Sequence, residues 1–397
     1  MKRQHQLAVL LALAAWAVPL WAQESQITRS GSGWMEVVTG TLPALRNLKV
    51  STDFGAVMVH GGSPHGISYT VRKRANTASE AQARRYFETF IVHASQKGDF
   101  AVLEGECAGH QRISVDFTVN VPRELAFAKI ETRGGSVDIS GIAGRAEAET
   151  AGGSIHINDI GGSVRAETSG GSIDVGNIGD DVKLETAGGS ISIRSVRGKI
   201  RAETAGGSIE VGSAAQGAYL NTAGGSIQVK KCDGDLRAST AGGSVEVGDV
   251  GGGAILETSG GSIRLSGPAK GVVHATTSGG GIHLNGLTHG VTAKTAAGPI
   301  YAEFIANKAT FTDSYLETSV GDVIVTLPSD LPVTVRASIE AAMGHRMVTD
   351  FPEVKVTSEG GEWGPREIYG QGTINGGGSL LKISTSAGNI ELRRGKR

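Results

Sequence analysis

The sequence has few aromatic residues, few cysteines and no block of basic residues. Aromatic residues make up 5% of the 397 residues, and only two cysteines are present. The formal net charge is −1 and the lysines and arginines are dispersed, which argues against electrostatic binding to nucleic acid. After the N-terminal segment, no apolar run approaches the length of a membrane span. These absences argue against a membrane-embedded protein and against a nucleic-acid partner.

Glycine, in contrast, is abundant and periodic. The tripeptide Gly-Gly-Ser recurs eight times at a spacing of eighteen residues, with first glycines at Gly134, Gly152, Gly170, Gly188, Gly206, Gly224, Gly242 and Gly260. A fixed short period is typical of stacked units that are each too small to bury a core alone. The sequence therefore predicts a solenoid.

Each unit shows the alternation of a β-strand. Ile155 and Ile157 alternate with polar residues, Ile160 adds a third apolar contact, and Val164 and Ala166 alternate again after a glycine-rich corner. Stacked turns about 4.8 Å apart would pair every strand with the strands above and below it. The predicted fold is all-β, a single-stranded parallel β-helix (β-solenoid) with about 18 residues per turn. The period does not settle the handedness, for which we expect a right-handed coil.

The residues at the corners have predicted structural roles. Glycine accepts positive φ and lets one turn lie directly above an identical turn. A threonine ends the second strand of every regular unit, at Thr150, Thr168, Thr186, Thr204, Thr222, Thr240 and Thr258. We expect these hydroxyls to hydrogen-bond along the solenoid axis, as threonine pairs do across strands.

Residues 1–22 read as a secretory signal peptide. Lys2 and Arg3 precede a short apolar run over residues 7–17, and cleavage is expected after Ala22. The mature protein is then exported, either periplasmic or secreted to the cell surface, with no membrane span after cleavage.

The two cysteines are not expected to form a disulfide. Cys107 and Cys232 are separated by about seven turns, on the order of 30 Å along the axis. A disulfide needs Cα atoms within about 7 Å of each other. Cys232 shares its column with Ile160 and Ile178, so we expect it to be buried in the core.

The periodicity divides the mature chain into three parts. Residues 23–131 are predicted to form irregular rungs and a helical cap, residues 132–335 the regular solenoid, and residues 336–397 further irregular rungs and a cap. The predicted helix begins with a capping box at residues 77–80. Its apolar face contains Ala83, Phe87, Phe90, Ile91 and Ala94.

Two columns of charged residues face solvent on the predicted rod. An acidic column contains Glu149, Glu167, Glu185, Glu203 and Glu257. Two residues earlier, a basic column contains Arg165, Lys183, Arg201 and Arg237. Two interpretations stay open: a charged strip that binds cations or an anionic polymer, and a solvated surface of weak, self-compensating pairs.

No catalytic, cofactor-binding or metal-binding residue is predicted. The histidines His156, His274, His283 and His289 are scattered and lack metal-ligand spacing. An alternative site lies in the irregular stretch of residues 339–378, which contains Glu340, His345, Asp350 and Glu353. Paired carboxylates there could perform the acid and base steps of glycoside hydrolysis, although a terminal cap explains the stretch more simply.

The repeated unit Thr-Ala/Ser-Gly-Gly-Ser-Ile-x-Ile resembles the DUF4097 family of bacterial proteins, which are provisionally labelled adhesins. Residues 121–125, their echo at residues 327–331 and the closing unit at residues 383–390 carry the same resemblance. It implies a β-helix over most of the mature chain and transfers no catalytic residue.

The predicted function is therefore non-enzymatic. We expect an exported β-solenoid that presents an extended surface for adhesion or scaffolding in the cell envelope, with an envelope protein or a glycan as its partner. The alternatives are a polysaccharide-active β-helix enzyme and an envelope-stress accessory protein. The sequence does not indicate an oligomeric state.

Overall fold

Two long sheets of stacked strands form the molecule. The computed structural model describes residues 23–64, 66–109, 112–342, 344–360 and 366–395, so the predicted signal peptide, residues 1–22, lies outside the described residues. The first sheet contains 18 strands within those ranges, which corresponds to a rod on the order of 80 Å long at about 4.8 Å per strand. The predicted all-β solenoid is confirmed.

The N-terminal part contains eight strands and one helix. The elements are β1 (Glu24–Ser30), β2 (Gly33–Leu42), β3 (Asn47–Thr52), β4 (Ala56–Gly61), β5 (Ile67–Ala75), α1 (Glu80–Phe87), β6 (Phe90–Lys97), β7 (Phe100–Cys107) and β8 (Ser114–Val121).

The regular part alternates between strands of the second sheet, with odd numbers, and strands of the first sheet, with even numbers. The strands are β9 (Phe127–Thr132), β10 (Val137–Ile142), β11 (Arg145–Thr150), β12 (Ile155–Ile160), β13 (Val164–Thr168), β14 (Ile173–Ile178), β15 (Val182–Thr186), β16 (Ile191–Val196), β17 (Ile200–Thr204), β18 (Ile209–Ala214), β19 (Gly217–Thr222), β20 (Ile227–Cys232), β21 (Asp235–Thr240), β22 (Val245–Val250), β23 (Ala254–Thr258), β24 (Ile263–Leu265), β25 (Val273–Thr277), β26 (Ile282–Leu287), β27 (Val291–Ala297) and β28 (Ile300–Phe304).

The C-terminal part continues both sheets. Its strands are β29 (Ser314–Val320), β30 (Val323–Leu327), β31 (Val333–Ile339), β32 (Met347–Thr349), β33 (Lys355–Glu359), β34 (Glu367–Ile374), β35 (Leu380–Ala387) and β36 (Ile390–Arg394).

A rung is defined here as one strand of the second sheet followed, across a corner, by one strand of the first sheet. Neighbouring rungs pair in parallel with equivalent residues in register, so Ile155 lies beside Ile173. Ile155, Ile157 and Ile160 all belong to β12 and are buried. The third apolar contact of the repeat is thus the end of the first-sheet strand, and each rung has two strands around an aliphatic core.

The second glycine of each corner is required by close stacking and not by backbone torsion. We expected positive φ at these corners, but no glycine of the Gly-Gly-Ser corners has a left-handed φ, whereas the single-glycine corners at Gly55, Gly298 and Gly321 do. A Cβ on Gly153 would overlap the carbonyl oxygen of Gly135 in the rung below, whereas a Cβ on Gly152 would meet no atom within 4 Å. The absence of a side chain lets the two backbones approach.

Each corner threonine links two consecutive corners. The Thr186 hydroxyl donates to the carbonyl oxygen of Gly171 at 2.8 Å and accepts from the Gly189 N–H at 3.3 Å. Seven other corner threonines repeat this arrangement: Thr150, Thr168, Thr204, Thr222, Thr240, Thr258 and Thr277. Hydrogen bonding along the axis is confirmed, but the partners are glycine backbone groups and not neighbouring hydroxyls.

Substitution of Thr186 by valine tests this linkage. The change keeps the buried shape but leaves the Gly171 carbonyl and the Gly189 N–H without their partner, so we expect a loss of about 1–3 kcal/mol in the free energy of unfolding. Urea denaturation of Thr186→Val and Thr186→Ser measures it, because serine retains the hydroxyl. Equal midpoints for the two variants would contradict the role of the hydroxyl.

Near the N-terminus, the order of rungs along the axis differs from their order in the sequence. Strand β3 lies between β7 and β9, and β4 lies between β8 and β10. The rung β3–β4 is therefore interposed between two rungs that follow it in sequence. Outside them, β5 and then β2 and β1 extend the first sheet in antiparallel fashion, and β6 extends the second.

The helix is shorter than predicted and begins later. Ser79, and not Thr77, is the N-cap, since its hydroxyl accepts from the Gln82 N–H at 3.4 Å. The helix ends at Phe87, and Ala83 and Phe87 are its buried residues. The predicted continuation through residues 90–94 is wrong, because this stretch alternates between buried and exposed side chains and pairs with β7 as an edge strand.

A buried lysine joins the helix to the sheets. Lys73 Nζ on β5 donates to the carbonyl oxygens of Phe87 at 3.2 Å and Phe90 at 2.7 Å. It also lies 2.9 Å from Glu36 Oε2, and the two side chains are only 7% and 14% exposed. The ammonium group thereby hydrogen-bonds the carbonyls at the end of α1 and the start of β6 and forms an ion pair with a carboxylate of β2.

The C-terminal end also contains an interposed rung. Strand β35 lies between β29 and β31, and β36 lies between β30 and β32. The stretch from 339 to 378, which we expected to be a loop or cap, contains the short strand β32 and the antiparallel strands β33 and β34. Antiparallel strands do not follow the eighteen-residue period, which explains why the repeat is lost there.

Two proline-containing links carry the chain past the interposed rungs. Pro122 follows β8 and Pro328 follows β30, and each carbonyl accepts from the N–H three residues later, at 3.1 Å from Leu125 and 3.3 Å from Leu331. These links connect β8 to β9 and β30 to β31. The echoed sequence motif therefore marks the two places where the chain skips one rung.

Both cysteines are free thiols. Cys232 is buried in the core column between Ala214 and Val250, as predicted, and burial raises the pKa of its thiol. Cys107 ends β7 and is partly buried.

Candidate binding surface on the second sheet

The two predicted charged columns exist on the outer face of the second sheet. Strand register places Glu149, Glu167, Glu185 and Glu203 directly beside one another. It likewise stacks Arg165, Lys183 and Arg201, followed by Tyr219 and Arg237. The acidic column also extends one rung toward the N-terminus through Glu131, which the sequence reasoning did not include.

Ion pairs join the columns. Arg165 lies 3.2 Å from Glu167 and Lys183 lies 2.7 Å from Glu185, within the same strands. Arg201 pairs with Glu203 in the same way, and Arg237 reaches Glu257 on the next rung at 2.9 Å. Exposed pairs of this kind contribute little individually. This part of the surface fits the self-compensating interpretation.

Two carboxylates in the acidic column have lowered pKa values. The hydrogen bond from Lys183 is the main cause of the low pKa of Glu185, against an opposing effect of burial. At Glu131, burial acts to raise the pKa. The hydrogen bonds from Lys49 and Lys129 together lower it by more than burial raises it, so the net shift of the pKa is downward. Both groups therefore favour the folded state when ionised.

The pH dependence follows from these directions. A carboxylate with a lowered pKa in the folded state contributes stability above its usual pKa of 4.5, and this contribution is lost as the pH falls through the folded value. We expect the midpoint of thermal unfolding to fall less between pH 6 and pH 3 for Glu185→Gln than for the original protein. Equal losses would contradict a role for the Lys183–Glu185 pair.

A shallow basic groove of about 720 Å³ runs beside the basic column, toward the second glycine-rich corner. It is lined by two carboxylates, Glu147 and Asp181, and by six cationic side chains: Lys129, Arg145, Arg165, Lys183, Lys199 and Arg201. The groove is thus positively charged although the whole chain has a net charge of −1. The sequence reasoning missed Arg145 and Lys199 because they do not belong to the two charged columns. Arg145 is the first residue of β11, and Lys199 directly precedes β17.

Aromatic rings lie at both ends of this groove. The guanidinium carbon of Arg145 is 4.2 Å from the ring centroid of Phe127, and that of Arg201 is 4.6 Å from the ring of Tyr219. Tyr219 is 36% exposed. Stacking of this kind holds the flat guanidinium group in place while its N–H edges stay accessible.

A second, acidic recess of about 580 Å³ lies by the glycine corners near the N-terminal end. Its lining includes Asp53, Glu104, Glu106, Glu131 and Glu149. Among the described residues, no group of three or more histidine, cysteine or acidic side chains has a geometry that could hold a metal ion.

The other candidate residues are dispersed over the rod. His156 and His283 share one column of the first sheet but lie seven rungs apart, and His274 lies on the second sheet. Burial and then the charge of Arg264 lower the pKa of His283, whose ring lies 4.4 Å from that of Tyr301.

Two carboxylates of the C-terminal stretch contact the interposed rung β35–β36. Glu340 accepts a hydrogen bond from the Ser386 hydroxyl at 2.7 Å, and Asp350 accepts from the Arg394 N–H at 2.9 Å. Both contacts attach the end of the rod to β35 and β36. These two acids therefore have structural partners, as a cap requires.

Comparison with known proteins does not assign the chain to a family. No family model matches the chain, and no curated protein matches it. One similar solved structure is a protein of Clostridium sporogenes provisionally described as a cell adhesion protein, at 10% identity, covering 94% of this chain and 100% of that chain with a TM-score of 0.17. A similarity at that score carries no argument about fold or function. Membership of the DUF4097 family stays a prediction.

Within the described ranges, no helix is both long and apolar enough to cross a membrane.

Proposed function

We propose that the protein is an exported, non-catalytic β-solenoid that binds a component of the cell envelope, as an adhesin or a scaffold. One observation carries this proposal: the outer face of the second sheet presents the basic groove across six consecutive rungs, between short corners. Such a surface suits an extended partner better than a small substrate, because the groove is shallow and open along its length. Export is proposed from the signal peptide in residues 1–22.

The polysaccharide-active alternative has less support. Its candidate acids, Glu340 and Asp350, hold the terminal rung in place. Acid and base catalysis needs carboxylates that face a common substrate. The contacts of these residues favour a structural cap, and the binding function is preferred.

Binding of the purified mature chain, residues 23–397, to envelope fractions tests the proposal. We expect saturable co-sedimentation of the labelled chain that excess unlabelled chain displaces. Fractionation of cells should place the mature protein outside the cytoplasm. Non-saturable binding, or an unprocessed protein confined to the cytoplasm, would contradict the proposed function.

A further inference from the structure

The basic groove contains two cations that the protein itself does not neutralise. In the described part of the chain, Arg145 and Lys199 form no ion pair, unlike Arg165, Lys183 and Arg201. They lie on the same edge of the groove, three rungs apart, which corresponds to about 14 Å. Asp181 is close to Lys199, since its carboxylate accepts the Lys199 backbone N–H at 2.8 Å, but neither Arg145 nor Lys199 forms a side-chain ion pair in the described residues. Two cationic groups at this separation favour a ligand with anionic groups spaced along its length.

The arginines at the two ends are already ordered. Arg145 rests on Phe127 and Arg201 on Tyr219. An arginine held against a ring loses less side-chain freedom when it binds a carboxylate, and its planar donor edge matches a carboxylate in a bidentate pair. Each end of the groove therefore combines a guanidinium group, which can donate hydrogen bonds to a carboxylate, with an aromatic ring.

Acidic side chains limit how densely charged the ligand is. Glu147 and Asp181 lie within the groove, and the acidic column runs beside it. A polyanion with a charge on every short repeat would be held against some of these carboxylates, at an electrostatic cost. A chain whose charges alternate with neutral, hydroxyl-bearing stretches avoids this repulsion.

We propose that the basic groove binds a linear polysaccharide that carries carboxylate groups. Its carboxylates pair with Arg145 and Lys199, and the C–H face of a sugar ring packs against the exposed part of the Tyr219 ring. This inference rests on the proposed envelope-binding function and specifies the ligand class of that surface. Nucleic acid and polyphosphate fit less well, because their charges are closer together.

Titration of the mature chain at low ionic strength with hyaluronan oligosaccharides, in which every second sugar carries a carboxylate, tests the proposal. We expect the double variant Arg145→Gln/Lys199→Gln to bind about tenfold more weakly, as the loss of two exposed charge contacts implies. The matched control is Arg194→Gln/Lys270→Gln, which removes the same charges from exposed positions outside the groove that likewise form no ion pair in the described residues. Its affinity should equal that of the original protein. Equal weakening in both variants, or in neither, would overturn the proposed site.

Comparison of anions separates a saccharide from a simple polyanion. Tyr219→Ala should weaken binding of the hyaluronan oligosaccharides several-fold and leave binding of poly-glutamate unchanged. Poly-glutamate or inorganic polyphosphate that bound the original protein as tightly as the hyaluronan oligosaccharides would refute a saccharide site. All substituted positions are outward-facing, so circular dichroism and thermal unfolding should confirm that each variant is folded.

The two proposals fail in distinguishable ways. If envelope fractions bind the original chain and the groove variant equally, the groove is not the site, while the envelope-binding function stands. If the hyaluronan oligosaccharides bind in the groove but envelope fractions do not bind the chain, the ligand class is supported and the envelope location fails.

Discussion

Substitution of Gly153 by alanine is expected to destabilise the rod by about 3 kcal/mol. A Cβ at this position would overlap the backbone carbonyl of Gly135, and the carbonyl cannot move without disturbing the next corner. The Thr168 hydroxyl donates to the Gly153 carbonyl at 2.9 Å, so displacement of the corner would weaken that contact as well. Urea denaturation followed by circular dichroism measures the effect.

The adjacent glycine provides the control. A Cβ at Gly152 meets no atom within 4 Å, so Gly152→Ala should change the free energy of unfolding by less than about 1 kcal/mol. The two variants have identical composition and occupy neighbouring positions in the same corner. Similar unfolding midpoints for both would show that the corners are not stacked as described.

Substitution of Lys73 by methionine is expected to loosen the packing of α1 and β6 at the N-terminal end of the rod. Methionine retains much of the apolar stem but leaves the buried Glu36 carboxylate without its cation and two carbonyl groups without their donor. Removal of one member of a buried ion pair costs about 3–5 kcal/mol. Hydrogen exchange should rise in α1 and β6, while the regular rungs stay protected, because coupling in a solenoid is mainly between neighbours.

A second variant separates the unpaired charge from the lost packing. Lys73→Met/Glu36→Gln removes both charges, so a large part of the lost stability should return. Exchange in α1 that is as fast in the double variant as in the single variant would show that the Glu36 carboxylate is not responsible.

The regular part of the fold could be predicted because its determinants are local and repeated. Alternation at Ile155 and Ile157, the glycine pair and the corner threonine each recur every eighteen residues, so one unit specifies its neighbours. The core position of Cys232 and the stacking of Glu149 on Glu167 follow from the same register. Any residue whose environment is another copy of its own unit is predictable in this way.

The ends could not be predicted because their partners are distant in sequence. No local pattern indicates that β35 lies between β29 and β31, or that residues 90–94 pair with β7 and do not extend the helix. The basic groove has a similar origin. Phe127 and Arg145 belong to different rungs, and their contact depends on where each strand begins. The charged columns alone do not predict those starting points.

The interposed rung at the C-terminal end of the rod imposes an order of events on a chain that is synthesised N-terminus first. Strands β31 and β32 are made before β35 and β36, yet in the folded molecule they stack on β35 and β36 and not on β29 and β30. Residues 333–374 therefore cannot reach their final positions until β35 and β36 are available to pair with them. Completion of the rod at this end depends on strands that come later in the sequence.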